Sequence, residues 1–354
     1  MDTRITETRI DQVKKHPLEK GWHSPASHPY TFIDGCMQIW PDANFADLPK
    51  CGVTAYCLTA FRPLHTGEAA FDGIADWWRV ARNYPEIRIA LKAEDIVAAK
   101  KSGQAALVLA AQGGDFLGQN LNRLELFHRL GLRIMIPAYN SRSPLGDGLM
   151  EPENSGLSNM GKRWVAECNR LGIVIDLTHV GIKSSMEAIA LSSAPVMFSH
   201  SNPRALVENR RNITDDQMRA CAQTGGVVGV TNFGPLHFRP EMTGRPKLED
   251  FLKAIDYVVN LIGIDHVAIG TDMSHGTYPD GDLIRQRNAG SASRYSELIE
   301  VSSRSRLRYV EGFDDYGQIV DVIDAMKKRG YSEADVTKIL GGNFLRVFRA
   351  VWGG

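Results

Sequence analysis

Two histidines stand at the ends of successive apolar runs and could share one metal ion. His179 closes the run Ile-Asp-Leu-Thr-His, and His200 closes the run Val-Met-Phe-Ser-His. A single histidine of this kind is more often a structural residue than a ligand, since histidine is intermediate in its preference for burial. Two that end adjacent parallel strands would lie about 5 Å apart, close enough for both imidazoles to bind one ion. Imidazole suits zinc and similar metals, so the pair predicts a metal site.

Further polar side chains follow other predicted strands and would face the same opening. Asp272 ends Ala-Ile-Gly-Thr-Asp, where an aspartate either forms a turn or serves as a metal ligand or general base. Arg211 is either a surface residue or a bidentate clamp for a substrate carboxylate. His275 is expected to be a loop residue. The remaining candidates at strand ends are Cys36, Gln38, Gln112, Tyr139, Asn140 and Asn232.

The elements that must position these side chains are eight short apolar runs rich in β-branched residues. They cover residues 31–36, 52–60, 105–113, 132–139, 172–179, 195–200, 225–232 and 266–272. Helical spacing between them predicts helices at 73–83, 121–130, 158–171, 183–191, 214–224 and 248–262. Apolar strands that alternate with crossover helices are typical of an α/β protein with a (β/α)8 TIM-type barrel, and a doubly wound open sheet is the alternative. In such a barrel the chemistry lies at the C-terminal ends of the strands.

No linker-like stretch divides the chain, so we expect one domain over residues 1–354. Within it, residues 1–29 form an N-terminal extension, 285–310 an excursion after the eighth strand, and 311–354 the C-terminal helices. The capping-box pattern that Thr214 and Gln217 form predicts the start of one helix.

The composition excludes several classes of protein. The 354 residues include 41 basic and 41 acidic side chains, and this balance argues against a protein that binds nucleic acid through its phosphates. No apolar run reaches 18 residues and the start is polar, so we expect no membrane partner and a cytoplasmic location. Five scattered cysteines do not form a disulfide framework. The spacing around Gly113-Gly114-Asp115 fits no nucleotide-binding loop.

The motifs resemble those of the membrane (renal) dipeptidase family of zinc peptidases. The similarity runs from about residue 32 to residue 347 and is strongest at Asp176-Leu177-Thr178-His179, Ser199-His200-Ser201-Asn202, Arg211-Asn212-Ile213-Thr214-Asp215 and Gly270-Thr271-Asp272. It implies a barrel of the metal-dependent hydrolase kind, usually a homodimer, that hydrolyses dipeptides with a carboxylate-bridged zinc pair. By the same resemblance, His179 and His200 match two zinc ligands, Asp272 matches the aspartate of the eighth strand, and Arg211 matches the arginine that binds the substrate carboxylate.

The chain departs from the family at the other metal-site positions. Cys36 and Gln38 replace a histidine and an aspartate, Gln112 replaces the bridging glutamate, and Tyr139 replaces a histidine that polarises the scissile carbonyl. Two dications about 3.5 Å apart repel by on the order of 20 kcal/mol at an effective dielectric near 20, and neutral amides cannot offset this repulsion. We therefore expect one divalent ion, zinc, held by His179 and His200. The Gln112 oxygen, Cys36 or Asp272 would lie nearby.

The resulting prediction is a mononuclear hydrolase that cleaves an amide or related C–N bond of a small carboxylate-bearing molecule or dipeptide. Asp272 would take a proton from water, Tyr139 would donate to the developing oxyanion, and Arg211 would hold the carboxylate. Tyr139 and Asn140 would contact the substrate. One alternative is a lyase or decarboxylase in the same barrel, with Cys36 as a possible nucleophile. The other is a catalytically silent, dipeptidase-like binding protein.

Overall fold

Parallel strands form the centre of the computed structural model, which describes residues 23–40, 43–276 and 308–353. Buried apolar residues dominate most of the strands, as expected for strands that are covered on both faces. The strands are β1 (Ile33–Ile39), β2 (Ala55–Phe61), β3 (Ile87–Ile89), β4 (Ala105–Gln112), β5 (Leu132–Ile136), β6 (Val174–Ile175), β7 (Met197–Phe198), β8 (Val227–Val230), β9 (Val267–Ile269) and β10 (Met273–His275).

Helices connect most of the strands and cover the sheet. They are α1 (Gly67–Asn83), α2 (Ala93–Ser102), α3 (Arg123–Arg129), α4 (Asn159–Leu171), α5 (Ile182–Leu191), α6 (Asp215–Gln223), α7 (Leu248–Ile262), α8 (Ile319–Lys328), α9 (Glu333–Thr337) and α10 (Asn343–Trp352). A π-helical turn, Lys338–Gly342, joins α9 to α10. The predicted capping box is present at the start of α6, where Thr214 and Gln217 exchange hydrogen bonds. No helix in the described ranges is long and apolar enough to cross a membrane.

Two ladders of parallel strands curve around the core. The first has the order β10-β1-β2-β4-β5-β6 with β3 beside β4, and the second has the order β7-β8-β9. A parallel bridge between Asp176 and Met197 joins them on one side. On the other side, the backbone N–H of Asp272 donates to the carbonyl of Cys36 at 2.8 Å. The result is the predicted TIM-barrel-like α/β fold, although the ladder of the described residues is not continuous around the ring.

Alternation along β4 divides the core into an inner and an outer layer. Leu107 and Leu109 belong to the cluster that packs under the helices. Val108 belongs to a smaller cluster with side chains from all the strands of the ring, and Phe344 and Phe348 of α10 pack into it. Because the members of this inner cluster come mostly from the first residues of their strands, α10 fills the N-terminal end of the barrel. The C-terminal ends remain available for a site.

The carbonyl oxygen of Ser199 lies among three glycines on neighbouring strands. A Cβ atom would lie only 2.4 Å from this oxygen at Gly35, 2.0 Å at Gly229 and 1.9 Å at Gly270. Real Cβ atoms do not approach backbone this closely, so glycine is required at these positions for the strands to pack around the residue before His200.

The structure corrects several predicted boundaries. Strands predicted at 172–179 and 195–200 are shortened to β6 and β7, and the run at 266–272 ends with β9, after which the short β10 follows. β3 and α2 were not predicted, and the helix predicted at 73–83 begins earlier, at Gly67. His275 is buried on β10 rather than placed in a loop. Most of the predicted extension at 1–29 and of the excursion at 285–310 lies outside the described residues.

Candidate metal centre

The two histidines predicted to share a metal meet at the C-terminal end of the barrel. His179 follows β6, His200 follows β7, and both side chains are buried. Their Nε2 atoms lie 3.2 Å apart. The sequence therefore placed both rings correctly at one opening.

Each histidine is held by an acceptor at its other ring nitrogen. His179 Nδ1 lies 2.7 Å from the side-chain oxygen of Asn140, and an amide oxygen can only accept a hydrogen bond. His200 Nδ1 lies 2.7 Å from Ser199 Oγ. That hydroxyl donates its own proton to the carboxylate of Asp176, so its oxygen accepts from the ring. Both neutral imidazoles thus carry their proton on Nδ1 and turn an unprotonated Nε2 toward each other.

This arrangement fits a cation. Two nitrogen lone pairs that face each other at 3.2 Å repel unless a positive charge is shared between them. In a tetrahedral zinc site with Zn–N bonds of about 2.0–2.1 Å, two nitrogen ligands lie about 3.3 Å from each other. The separation of the His179 and His200 nitrogens is therefore that of two ligands on one zinc ion.

Two more potential metal ligands, Cys36 and Asp272, lie close to His200. The potential ligand atoms of Cys36, His200 and Asp272 all lie within 4.8 Å of one another. The Cys36 sulfur lies 3.7 Å from Asp272 Oδ1 and accepts a hydrogen bond from Gln112 Nε2 at 3.1 Å. Gln112 therefore presents its amide nitrogen, not the predicted ligand oxygen, to the thiol. Imidazole, thiolate and carboxylate are the usual ligands of zinc.

Burial controls the protonation of these groups. Desolvation, with Arg211 as a smaller cause, lowers the pKa of His179 and of His200 well below the usual value, so both rings are neutral at neutral pH and able to bind a metal. Desolvation, with Asp272 as the next cause, raises the pKa of the Cys36 thiol. A thiolate at Cys36 therefore needs a cation beside it.

Asp272 is half-buried, and two arginines, Arg308 and Arg211, act on its carboxyl group. Desolvation raises the pKa of its carboxyl, while Arg308, Arg211 and hydrogen bonds from Cys36 and Gln38 act in the opposite direction. The backbone of Asp272 has a φ of 53°, and His179 has a φ of 70°. Residues other than glycine rarely adopt this left-handed backbone conformation. It persists where surrounding contacts enforce it.

Arg211 lies against both histidines. Its guanidinium donates to the carbonyl of His200 at 2.8 Å and to Ser201 Oγ at 3.2 Å, and Nη2 lies 3.4 Å from His179 Nε2. Desolvation lowers its pKa to about 10, so the side chain remains positive at neutral pH. Its positive charge therefore lies directly beside Nε2 of His179.

A cavity of about 230 Å³ opens next to His179. Its charged lining consists of three basic residues and one acidic residue, namely Arg204, Arg210, Arg211 and Glu151. This volume admits a small molecule, and the excess of positive charge favours an anionic one.

The other predicted residues occupy different positions around the histidines. The Tyr139 ring contacts the His179 ring at a tilt of 35°, with centroids 4.2 Å apart. Asn140 binds His179, so its predicted contact with substrate would compete with this hydrogen bond. Gln38 donates to Thr59 as well as to Asp272. Asn232 is directed away from the site, toward the carbonyl of Phe313.

The residues that hold the candidate metal ligands in position were not predicted from the sequence. Asp176, Ser199, Asp34 and Thr271 are buried and hydrogen-bonded around the metal centre, and Arg308 acts on Asp272. Their place in the sequence was the one available indication of this role, since Ser199 immediately precedes His200 and Thr271 immediately precedes Asp272. Adjacency alone does not show which backbone groups a side chain reaches, so the roles emerge only from the structure.

Comparison with known proteins gives one consistent result. The model of the membrane dipeptidase family (Peptidase family M19) matches residues 41–300 and 305–352. The dipeptidase tcpJ of Claviceps purpurea (strain 20.1) is 31% identical over 271 residues, which are 75% of this chain and 55% of that protein. The chain thus spans about half the length of this relative. A Klebsiella pneumoniae protein described as an uncharacterized protein in the pqqA 5' region is 30% identical over 284 residues, with 77% of this chain and 92% of that protein covered.

The fold also matches a solved structure. The crystal structure of an amidohydrolase from Pseudomonas aeruginosa superimposes with a TM-score of 0.81 at 30% sequence identity. The match covers 92% of this chain and 97% of that one.

Proposed function

The chain belongs to the membrane dipeptidase family, Peptidase family M19, and from this premise we propose that it is a hydrolase that works with one divalent metal ion. The bond cleaved is an amide or related C–N bond in a small carboxylate-bearing molecule, dipeptides included. The observation that carries the proposal is the 3.2 Å separation of the Nε2 atoms of His179 and His200 at the C-terminal end of the barrel.

His179 and His200 would hold the ion, and His200 also belongs to a group with Cys36 and Asp272, whose potential ligand atoms all lie within 4.8 Å of one another. Zinc fits this mixture of nitrogen, sulfur and oxygen ligands. When bound, the metal supplies Lewis acidity, which polarises a carbonyl and makes water more acidic.

Charge supports one ion rather than two. Cys36 and Asp272 can contribute two negative charges at most, and Gln38 and Gln112 contribute none. Arg211 and Arg308 add positive charge close to Asp272. Two dications about 3.5 Å apart would repel by roughly 20 kcal/mol at an effective dielectric of 20, and this set of groups offers too few anions to offset that repulsion.

The side chains around the ion have separate tasks in the proposed reaction. The Asp272 carboxylate takes a proton from the attacking water, and Arg308 and Arg211 help to keep it ionised. Arg211 binds the carboxylate of the substrate, whose position next to His179 is the cavity with the excess of basic residues. Tyr139, whose ring contacts that of His179, donates a hydrogen bond to the oxyanion.

The test is hydrolysis by the zinc-loaded protein of a panel of dipeptides, N-acyl amino acids and cyclic amides. We expect turnover of at least one class, and loss of about 10²–10⁴-fold in kcat when Asp272 is replaced by Asn, as for removal of a general base. Arg163→Gln, an exposed change on α4, serves as the control. No turnover of any class by metal-loaded protein would contradict the proposal.

The role of Cys36 has its own test. In cobalt-substituted protein, ligation by the Cys36 thiolate produces a sulfur-to-cobalt charge-transfer band in the near ultraviolet, and Cys36→Ser removes it. Cys57→Ser is the matched control, because Cys57 is also a buried thiol on a neighbouring strand and belongs to the inner core cluster. A wild-type spectrum without the band would remove Cys36 from the ligand set.

One observation favours the silent binding protein as the second candidate. The guanidinium of Arg211 already lies 3.4 Å from His179 Nε2 and could neutralise this lone pair without a metal. In that case the protein would bind anionic ligands in the cavity but neither retain zinc nor hydrolyse them. A homodimer, which the family resemblance suggests, and the expected cytoplasmic location remain part of the proposal.

A further inference from the structure

Asp176 connects the ends of two strands beneath the histidine pair. Its Oδ1 accepts hydrogen bonds from the backbone N–H of Thr178 and of Ser199, each at 3.0 Å. Its Oδ2 accepts the Ser199 hydroxyl proton. The Asp176 carboxylate therefore links the backbone of Thr178, two residues further along the chain, to the backbone of Ser199 at the end of the neighbouring strand.

Asp34 repeats this pattern on the other side of the centre. Its Oδ1 accepts from the backbone N–H of Cys36 at 3.2 Å and of Thr271 at 2.7 Å. Its Oδ2 accepts from the Thr271 hydroxyl at 2.6 Å. A further hydrogen bond comes from Tyr316, also at 2.6 Å.

The two patterns share a relation to the candidate ligands. In each, the aspartate accepts a hydrogen bond from a hydroxyl side chain, and the next residue in the chain is a candidate metal ligand. His200 follows Ser199, and Asp272 follows Thr271. The two candidate ligands with left-handed backbone, His179 at φ 70° and Asp272 at φ 53°, each follow a residue whose backbone N–H donates to one of these aspartates. The aspartates thus enforce the backbone that directs these side chains inward.

Asp176 has an additional effect on His200. Because the Ser199 hydroxyl proton goes to the carboxylate, Ser199 Oγ must accept the proton of His200 Nδ1 at 2.7 Å. The chain Asp176–Ser199–His200 consequently selects the tautomer in which Nε2 is free to bind a cation. A hydrogen-bond partner of this kind on the far side of a ligating histidine sets both the tautomer and the ring orientation.

We propose that Asp34 and Asp176 are paired positioning residues, and that Asp176 acts through Ser199 to hold His200 with an unprotonated Nε2. The proposal rests on the proposed function only for the identity of the cation. The tautomer itself is a property of the protein without metal.

The substitution Asp176→Asn is expected to give the other tautomer of His200. Oδ1 must accept from two backbone N–H groups, so the amide nitrogen has to take the position of Oδ2. It then donates to Ser199 Oγ, and the freed hydroxyl proton turns to His200 Nδ1, which at 2.7 Å is closer than the other neighbour of this hydroxyl, Thr178 Oγ1 at 3.3 Å. His200 shifts to the tautomer with its proton on Nε2, which cannot bind a metal.

The experiment is long-range 1H–15N NMR of the imidazole nitrogens in metal-free protein labelled at histidine. His200 is assigned by its absence from the His200→Gln spectrum. We expect a protonated Nδ1 for His200 in the wild type and a protonated Nε2 in Asp176→Asn. Ser185→Ala is the control, because Ser185 is also buried but donates to the carbonyl of Ile182, within its own helix, and it should leave the His200 signals unchanged.

Zinc affinity, measured by competition with a chromophoric chelator, provides a second readout. We expect Asp176→Asn and Ser199→Ala to weaken binding about 10- to 100-fold, as for the loss of other groups that orient ligands. A wild-type His200 with its proton on Nε2 would overturn the proposal, even if Asp176→Asn does not fold. If wild-type His200 shows the expected tautomer but the protein retains no metal, the positioning role of Asp176 and Ser199 stands and the proposed function fails.

Discussion

Replacement of Arg211 by Gln tests whether this side chain binds the substrate carboxylate. The guanidinium is held by the His200 carbonyl at 2.8 Å and by Ser201 Oγ at 3.2 Å, next to the cavity. A hydrogen bond to a charged group is worth about 1.5–3 kcal/mol. Loss of one such contact with the substrate therefore predicts a decrease in kcat/KM of about 10- to 150-fold.

The assay compares each dipeptide with the same dipeptide amidated at its C-terminus. Arg211→Gln should lower kcat/KM for the free acid by this factor and leave the amide within a few fold, so that discrimination between the two nearly disappears. Thermal unfolding checks that the buried change has not destabilised the protein. Equal losses for acid and amide would refute the assignment, because they would mean that Arg211 supports the site without contacting the carboxylate.

Three further results are expected. Gly270→Ala should lower the free energy of unfolding in urea by about 1–3 kcal/mol, because the added Cβ would lie 1.9 Å from the Ser199 carbonyl oxygen; an unchanged midpoint would show that the strands can move apart. Burial lowers the pKa of His237 from 6.5 to about 4, so the unfolded state binds the proton more tightly, and stability should be lost as pH falls from 6.5 to 4, by up to about 3 kcal/mol. His237→Gln should flatten the pH dependence of the urea midpoint, and an identical slope in the variant would assign the effect to other groups. Gln38→Asp combined with Gln112→Glu should raise the zinc content from one to two ions per chain, because two added carboxylates offset the repulsion between dications; a content that stays at one would show that charge alone does not determine the stoichiometry.

The barrel was predictable because the strands are continuous apolar runs, and because the C-terminal ends of parallel strands meet at one opening. The same rule brought His179, His200, Asp272 and Cys36 together before any contact was known. β3 was missed because three residues give too short a pattern, and α2 because its alanine-rich segment has little periodicity.

The C-terminal ends of the strands were less predictable because hydrogen bonds to side chains replace the backbone hydrogen bonds of the sheet there. β6 stops at Ile175, where Asp176 turns its carboxylate to the backbone of Thr178 and Ser199. The run that ends at Asp272 is interrupted in the same way by the hydrogen bonds from Thr271 to Asp34. Such bonds join residues far apart in the chain, and no local pattern reveals them.

Metal analysis decides whether His179 and His200 hold a single ion. The measurement is the zinc content of the purified wild type, by inductively coupled plasma mass spectrometry after dialysis, beside that of the double variant His179→Ala, His200→Ala. We predict close to one equivalent per chain in the wild type and none in the variant. Two tightly held equivalents in the wild type, or an ion that survives the loss of both histidines, would contradict the account.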